Sequence, residues 1–150
     1  MTVDRRAEMS ADETDVFLGA HETGVLSLAR EGEPYAIPIS YGYDASTRRF
    51  YLRLVSTPES EKRRFLTSEP DARLVVHDGE GETHRSAVAT GTLVRIDPEE
   101  LAAEEIRQYG EAGRPLFEVW TEGREKLDID LYRLDPESVA GRHIAISRET

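Results

Sequence analysis

Cysteine is absent from the 150 residues, which excludes a disulfide framework, a thiolate nucleophile and a cysteine-ligated zinc site. Lysine is almost absent too: Lys62 and Lys126 are the only two, and the other 17 of the 19 cations are arginines. Against them stand 30 acids, so the net charge is −11. An acidic, lysine-poor surface argues against binding a nucleic-acid backbone or an anionic membrane, both of which need clustered cations. Such a surface is expected in a halophilic protein, where salt screens self-repulsion, although GC-biased codon usage in an acidic proteome gives the same composition. No apolar run approaches the roughly 20 residues that a spanning helix needs. The opening MTVDRRAEMSADE lacks a hydrophobic signal core, so a cytoplasmic location is expected. The four histidines, His21, His77, His84 and His143, have no metal-ligand spacing, and no HExxH, GxSxG, Walker or GxGxxG motif occurs. No metal is expected.

What is present is a globular composition, 38% hydrophobic and 33% charged, of a length that suits one domain over 1–150. Ser10-Ala11-Asp12-Glu13 is a capping-box pattern, and it predicts a helix over 11–20 with Val16, Phe17 and Ala20 on one face. Gly24 to Ala29 reads as a strand closed by the turn Glu31-Gly32-Glu33-Pro34. Tyr35 to Tyr43 alternates, with Tyr35, Ile37, Ile39, Tyr41 and Tyr43 on one face and the small Ala36, Pro38, Ser40 and Gly42 on the other. A flat face of this kind lets a planar ring approach the backbone, or lets a neighbouring strand or helix pack closely. Arg49 to Val55 is the next strand.

Thr57-Pro58 supplies a cap and a first-turn proline, predicting a helix over about 58–68 that Pro70 ends. Lys62 precedes Phe65 and Leu66 by three and four residues and so shares their inward face, whereas Arg63 and Arg64 turn away. Arg53, the Ser56 and Thr57 hydroxyls, the helix N-terminus and Lys62 would together suit a phosphate monoester; the alternative is an ordinary cap on a solvated basic helix. Ala72 to Asp78 and Ser86 to Ile96 read as two further strands joined at Gly79–Thr83. Asp97-Pro98-Glu99-Glu100 opens a third helix carrying Leu101, Ile106 and Tyr109, which Gly110 and Gly113 end. Ile129 to Leu134 alternates as a last strand, with the tail from Gly141 an edge extension or a frayed end. His77 beside Asp78 is a proton donor or a structural histidine, Trp120 with Phe117 and Tyr109 a pocket wall or core, and Gly91 a bulge or a close backbone approach. About six strands in antiparallel hairpins with peripheral helices make a mainly β fold, most economically a small barrel.

Four segments in order, GVLSLAREGEPYAIPISYGYD, RRFYLRLVSTPESEKRRFLTSEPDARLVV, SAVATGTLVRIDPEE and LYRLDPESVAGR, resemble the pyridoxamine 5′-phosphate oxidase-like, FMN-binding split-barrel family over residues 10–142. The likeness is greatest to its small oxidase-related and nitroimidazole-reductase-like members. The oxidase residues that hold pyridoxal phosphate near the C-terminus have no counterpart here. The resemblance implies a six-stranded antiparallel split β-barrel that forms a homodimer, with FMN in a groove at the subunit interface. It places Ile37, Pro38, Ile39, Ser40 and Tyr41 along the isoalloxazine ring. Arg53, Ser56, Thr57 and Lys62 fall at the phosphate, and Ser86 and Val88 line the groove from below. The implied activity is that of a flavin reductase or other oxidoreductase on a small substrate, with no separate catalytic residue assigned. A non-catalytic flavin carrier, or a relative that binds the deazaflavin F420, is the alternative.

Overall fold

The computed structural model describes residues 2–56, 61–66, 69–111 and 128–147. Eight strands follow in chain order with three helices: β1 Thr2–Glu8, α1 Ala11–Ala20, β2 Thr23–Arg30, β3 Glu33–Ser40, β4 Gly42–Asp44, β5 Arg49–Ser56, α2 Lys62–Phe65, β6 Asp71–Glu80, β7 Thr83–Ile96, α3 Ala103–Glu111 and β8 Asp128–Ser147. All the strand pairs are antiparallel, in the order β3-β2-β6-β7-β8-β5-β4, and β1 adds to the far half of β8. The outermost strands of this path, β3 and β4, are consecutive in the chain and separated only by Tyr41. The sheet therefore curls until its two ends meet, as a split-barrel sheet does. β3 lies against β5 without pairing with it.

Tight turns set the hairpins. Glu31 and Gly32 both have positive φ, 51° and 81°, the backbone of a two-residue turn whose twist matches right-handed strands. Alternation then sorts the side chains. Phe50, Leu52 and Leu54 of β5, Leu74 and Val76 of β6, Ala87 and Ala89 of β7 and Leu134 of β8 point into one core with Ile39 and Tyr41. Helix α1 begins at the expected residue because the capping box is complete: Ser10 Oγ accepts from the Glu13 N–H, and Glu13 Oε1 accepts from the Ser10 N–H, both at 3.1 Å. It closes one end of the barrel with Thr14, Phe17 and Leu18. Each large apolar side chain so buried contributes about 1.5–3 kcal/mol.

Several sequence expectations are corrected. Val16, placed on the buried face of α1, is 72% exposed, and Ala20 is exposed as well. The single strand over 35–43 is broken at Tyr41, whose N–H leaves the ladder to bond Glu22 O at 2.9 Å. The helix expected over 58–68 is described as the single turn Lys62–Phe65, preceded by Glu61 with no side-chain cap; Thr57 and Pro58 lie outside the described residues. The third helix is two pieces, a 3₁₀ turn at Pro98–Glu100 and then α3, with Gly110 inside it; Ile106 is 58% exposed. The tail from Gly141 is neither an edge nor frayed, since β8 runs to Ser147 between β7 and β1. Eight strands stand where about six were expected, because β1 is additional and the Tyr41 break divides one in two. Phe117, Val119 and Trp120 lie outside the described residues.

Gly91 is a close-approach glycine. It sits at the register shift between β7 and β8, where a Cβ would drive into the backbone of Asp135 and Pro136. Gly91→Ala is expected to destabilise the protein by about 3 kcal/mol, because backbone cannot yield as a side-chain tip does. Gly19→Ala, in α1 with nothing within 4 Å, is expected to stabilise it by about 0.5–1 kcal/mol. Denaturant unfolding of the two variants checks both signs.

Candidate functional site

The split is where chemistry-bearing groups collect. Among the described residues β3 pairs on one side only, with β2, and β5 beyond Tyr51 pairs on one side only, with β8. Each strand therefore turns half of its backbone N–H and C=O groups away from its partner. Helix α2 bridges them. Its Phe65 stacks on Tyr35 of β3, ring centroids 4.9 Å apart, and its Lys62 Nζ donates to Val55 O of β5 at 2.5 Å. Arg64 holds the same helix to the β2–β3 hairpin, pairing with Glu33 at 2.6 Å while its carbonyl accepts from Arg30 at 2.7 Å.

Lys62 is 9% exposed, so the expected inward orientation holds, and Arg64 is on the exposed side as expected. The described single turn has too few aligned peptides to make an anion site by itself, so the side chains around it are the groups to weigh. Arg53 provides the strongest indication of one. It lies on β5 on the opposite face from Leu52 and Leu54, half-buried, and its Nε is buried with no hydrogen-bond partner among the described residues. A buried donor left unsatisfied costs about 1–3 kcal/mol, and an anionic or acceptor ligand beside β5 would recover it. Ser56 ends the same strand, opposite Asp128.

The five residues expected along a ring divide by face. Ile39 and Tyr41 are buried in the core, and Ile37 packs against it. Pro38 is exposed with Ala36 on the outer wall, while Ser40 is 7% exposed. The flat face is thus open at Ala36 and Pro38, with no strand or helix packed over them among the described residues. Tyr41 donates its hydroxyl to Leu18 O at 2.7 Å, and this fixes the corner between β3 and β4.

Ser86 and Val88 do not join this cluster within one chain. They lie half-buried on β7, separated from β3 by β2 and β6. Cross-strand register puts Val88 in one row with Val75, Val25 and Pro38 on one side and Ala140 on the other. This row is an aliphatic stripe on the outer wall. His77 is exposed and shares no hydrogen bond with Asp78; strand alternation turns the two to opposite faces. Asp78 instead meets His21 at 3.0 Å and Arg85 at 2.7 Å. The sequence reading missed this cluster, although the same alternation separates Asp78 from His77. Among the described residues no three His, Asp or Glu side chains are grouped to hold a metal ion, and no helix is long and apolar enough to cross a membrane.

The comparisons with known proteins agree on the architecture. A family model described as pyridoxamine 5′-phosphate oxidase matches residues 10–143. No curated protein sequence matches significantly. Among solved structures, a candidate pyridoxamine 5′-phosphate oxidase from Corynebacterium glutamicum superposes with a TM-score of 0.70 at 16% identity, covering 99% of this chain and 100% of that one. A candidate 5-nitroimidazole antibiotic resistance protein from Bacteroides thetaiotaomicron gives 0.70 at 14% identity over 93% and 88% of the two chains. An FAD-binding protein from Mycobacterium smegmatis gives 0.67 at 14% identity over 94% and 100%. At these identities the likenesses establish the fold.

The Arg53 Nε, unpartnered among the described residues, yields a stability prediction independent of any ligand. Arg53→Met keeps the aliphatic stem and removes the unsatisfied donor, so the ligand-free protein is expected to gain about 1 kcal/mol. Denaturant unfolding of the ligand-free variant measures it; a loss of stability would mean that Arg53 is satisfied.

Proposed function

The chain belongs to the pyridoxamine 5′-phosphate oxidase family, and from that premise we propose that it is an FMN-binding flavoprotein that carries out oxidoreduction on a small substrate. The observation that carries the reading is Arg53, whose buried guanidinium nitrogen at the barrel's split has no acceptor among the described residues, in a fold shared with an FAD-binding protein. The ring would lie along the free edge of β3 at Ile37, Pro38, Ile39, Ser40 and Tyr41. Pro38 there presents no N–H and little bulk, and the outward backbone groups of the strand are the donors and acceptors. Arg53 would take the phosphate, with Ser56 and Thr57 adding hydroxyls and Lys62 a cation held beside Val55. Such charge-assisted contacts suit a compact anion. Bound flavin would supply the hydride chemistry, and the protein's task is to position the ring, shield one face from water and neutralise the phosphate.

The homodimer belongs to the same proposal. Ser86 and Val88 cannot reach their own β3 across two intervening strands of roughly 4.8 Å spacing each. They would instead line the groove from a second copy packed on the aliphatic stripe. Light scattering that returns only a monomer mass would remove this part of the reading.

Purified protein mixed with FMN is expected to retain a flavin spectrum through gel filtration. Lys62→Ala is expected to weaken FMN binding roughly tenfold or more, from the loss of a charge-assisted contact, while Arg64→Ala, which loses only an exposed ion pair that braces α2, is expected to weaken it by less than about threefold. Equal affinity in wild type and Lys62→Ala would make Lys62 only a clamp on β5. Oxidation of NAD(P)H faster than free FMN allows identifies an enzyme, and bound but inert flavin identifies a carrier. Failure to bind FMN with tight binding of F420 would replace the cofactor and leave the site.

A further inference from the structure

Register places His77 of β6, Ser86 of β7 and Arg142 of β8 side by side in one row, with Ser86 in the middle. The row lies on the outer wall, because the adjacent Val76 and Ala87 point into the core. Directly opposed side chains in such a row have Cβ atoms about 4.5–5.5 Å apart, so the flanking two can reach one small ligand seated over Ser86. None of the three side chains has a hydrogen bond or ion pair among the described residues, and His77 and Arg142 are exposed. Elsewhere in this acid-rich chain guanidiniums are matched: Arg48, Arg64, Arg85, Arg95 and Arg133 each hold a carboxylate. Arg142 holds none, although Glu8 of β1 is its cross-strand neighbour on the far side. All three groups of the row can donate: the guanidinium presents a fork, the hydroxyl rotates to suit, and the imidazole always carries an N–H. Two residues along the same strands, on the same face, stand Val75, Val88 and Ala140. A row of donors beside a row of aliphatic side chains matches an anionic group attached to an apolar body.

We propose that His77, Ser86 and Arg142 form an anion subsite that makes small organic anions the substrate class of this protein. The ligand's carboxylate, or a comparable oxyanion, would take the three donors, with Arg142 supplying the charge, and its apolar body would lie on Val75, Val88 and Ala140. Glu8, at the Arg142 end of the row, repels an anion and so favours its seating toward Ser86. The link to a substrate rests on the flavoprotein reading above, in which Ser86 and Val88 of one copy line the flavin groove of the other. Side chains on either side of Ser86 then face that groove as well, which puts the charge of Arg142 beside the ring and selects what can be seated there. The anion subsite itself needs only one chain.

Benzoate and its neutral near-isostere benzamide, titrated into the ¹⁵N-labelled full chain with and without FMN, test both parts. The wild type is expected to bind benzoate about fivefold more tightly than benzamide, the upper range for an exposed charge pair, with the largest amide shifts at His77, Ser86 and Arg142. Arg142→Gln is expected to bring the two ligands to roughly equal affinity. Arg73→Gln, on the same wall but across the aliphatic row, is expected to keep the preference. Both arginines are exposed, so neither change disturbs the core. Equal binding in the wild type, a preference that survives Arg142→Gln, or one that is lost in Arg73→Gln overturns the subsite. With FMN bound, benzoate is also expected to shift the flavin absorption band in the wild type and not in Arg142→Gln. Bound FMN whose band benzoate leaves unmoved, or moves equally in Arg142→Gln, overturns the role in substrate selection and leaves the flavoprotein reading standing. A benzoate preference without any FMN binding does the reverse: the anion subsite stands and the flavoprotein reading falls.

Discussion

A sheet that curls on itself must either pair its two edge strands or cover them, and among the described residues the edges of β3 and β5 are unpaired and bridged by side chains. Everything distinctive about the molecule follows from that choice. The break at Tyr41 turns the chain from one end of the sheet to the other. The four-residue helix α2 spans the gap with one aromatic stack to Tyr35 and one ammonium on the Val55 carbonyl. An unpaired edge is normally a liability that invites aggregation. Here it is narrow, buttressed on one side by the Arg64 pair with Glu33, and bordered by groups that suit a ligand.

The same choice places an opposition between stability and function on β5. Phe50, Leu52 and Leu54 face the core and stabilise the fold, while Arg53, one residue out of phase with them, carries a buried nitrogen with no partner among the described residues. Retaining such a group without a ligand costs free energy at every moment. It is intelligible if the protein's working state includes an acceptor there. The overall charge of −11 does not oppose this, because a single phosphate responds to the two or three groups that touch it, and the surface acids are screened within several ångströms of salt solution.

Much of this was legible in the residues themselves. The capping box fixed the first residue of α1, and the alternation from Tyr35 to Ile39 separated Tyr35, Ile37 and Ile39 on the core side from the exposed Ala36 and Pro38, because burial on one side of a sheet imposes a period of two; around the break at Tyr41 it failed, with Ser40 and Gly42 buried. The spacing from Lys62 to Phe65 correctly turned Lys62 inward. What was hidden depends on contacts far apart in sequence. β1, with its charged residues Asp4, Arg5 and Arg6, has no strand pattern of its own and forms because β8 offers an edge. The exposure of Val16 follows from which side of α1 meets the barrel, and apolar spacing alone could not choose between Val16 and Leu18. The break at Tyr41 is decided by Glu22 O, a partner outside the strand. Of the candidate site, the residues on β3 and β5 and Lys62 come to one seam, whereas Ser86 and Val88 lie on another part of the wall, so the groove that would unite them needs a second copy.

The central claim is that the split between β3 and β5 is the flavin site, and chemical-shift mapping of the ¹⁵N-labelled protein during FMN addition addresses it most directly. The account predicts the largest amide shifts at Ile37, Ile39, Ser40, Tyr41 and Arg53 to Ser56, with Lys62 following them at the same ligand concentration. Shifts confined elsewhere, for example to the outer groove lined by Ser27, Arg73, Thr90 and Glu137, would contradict it.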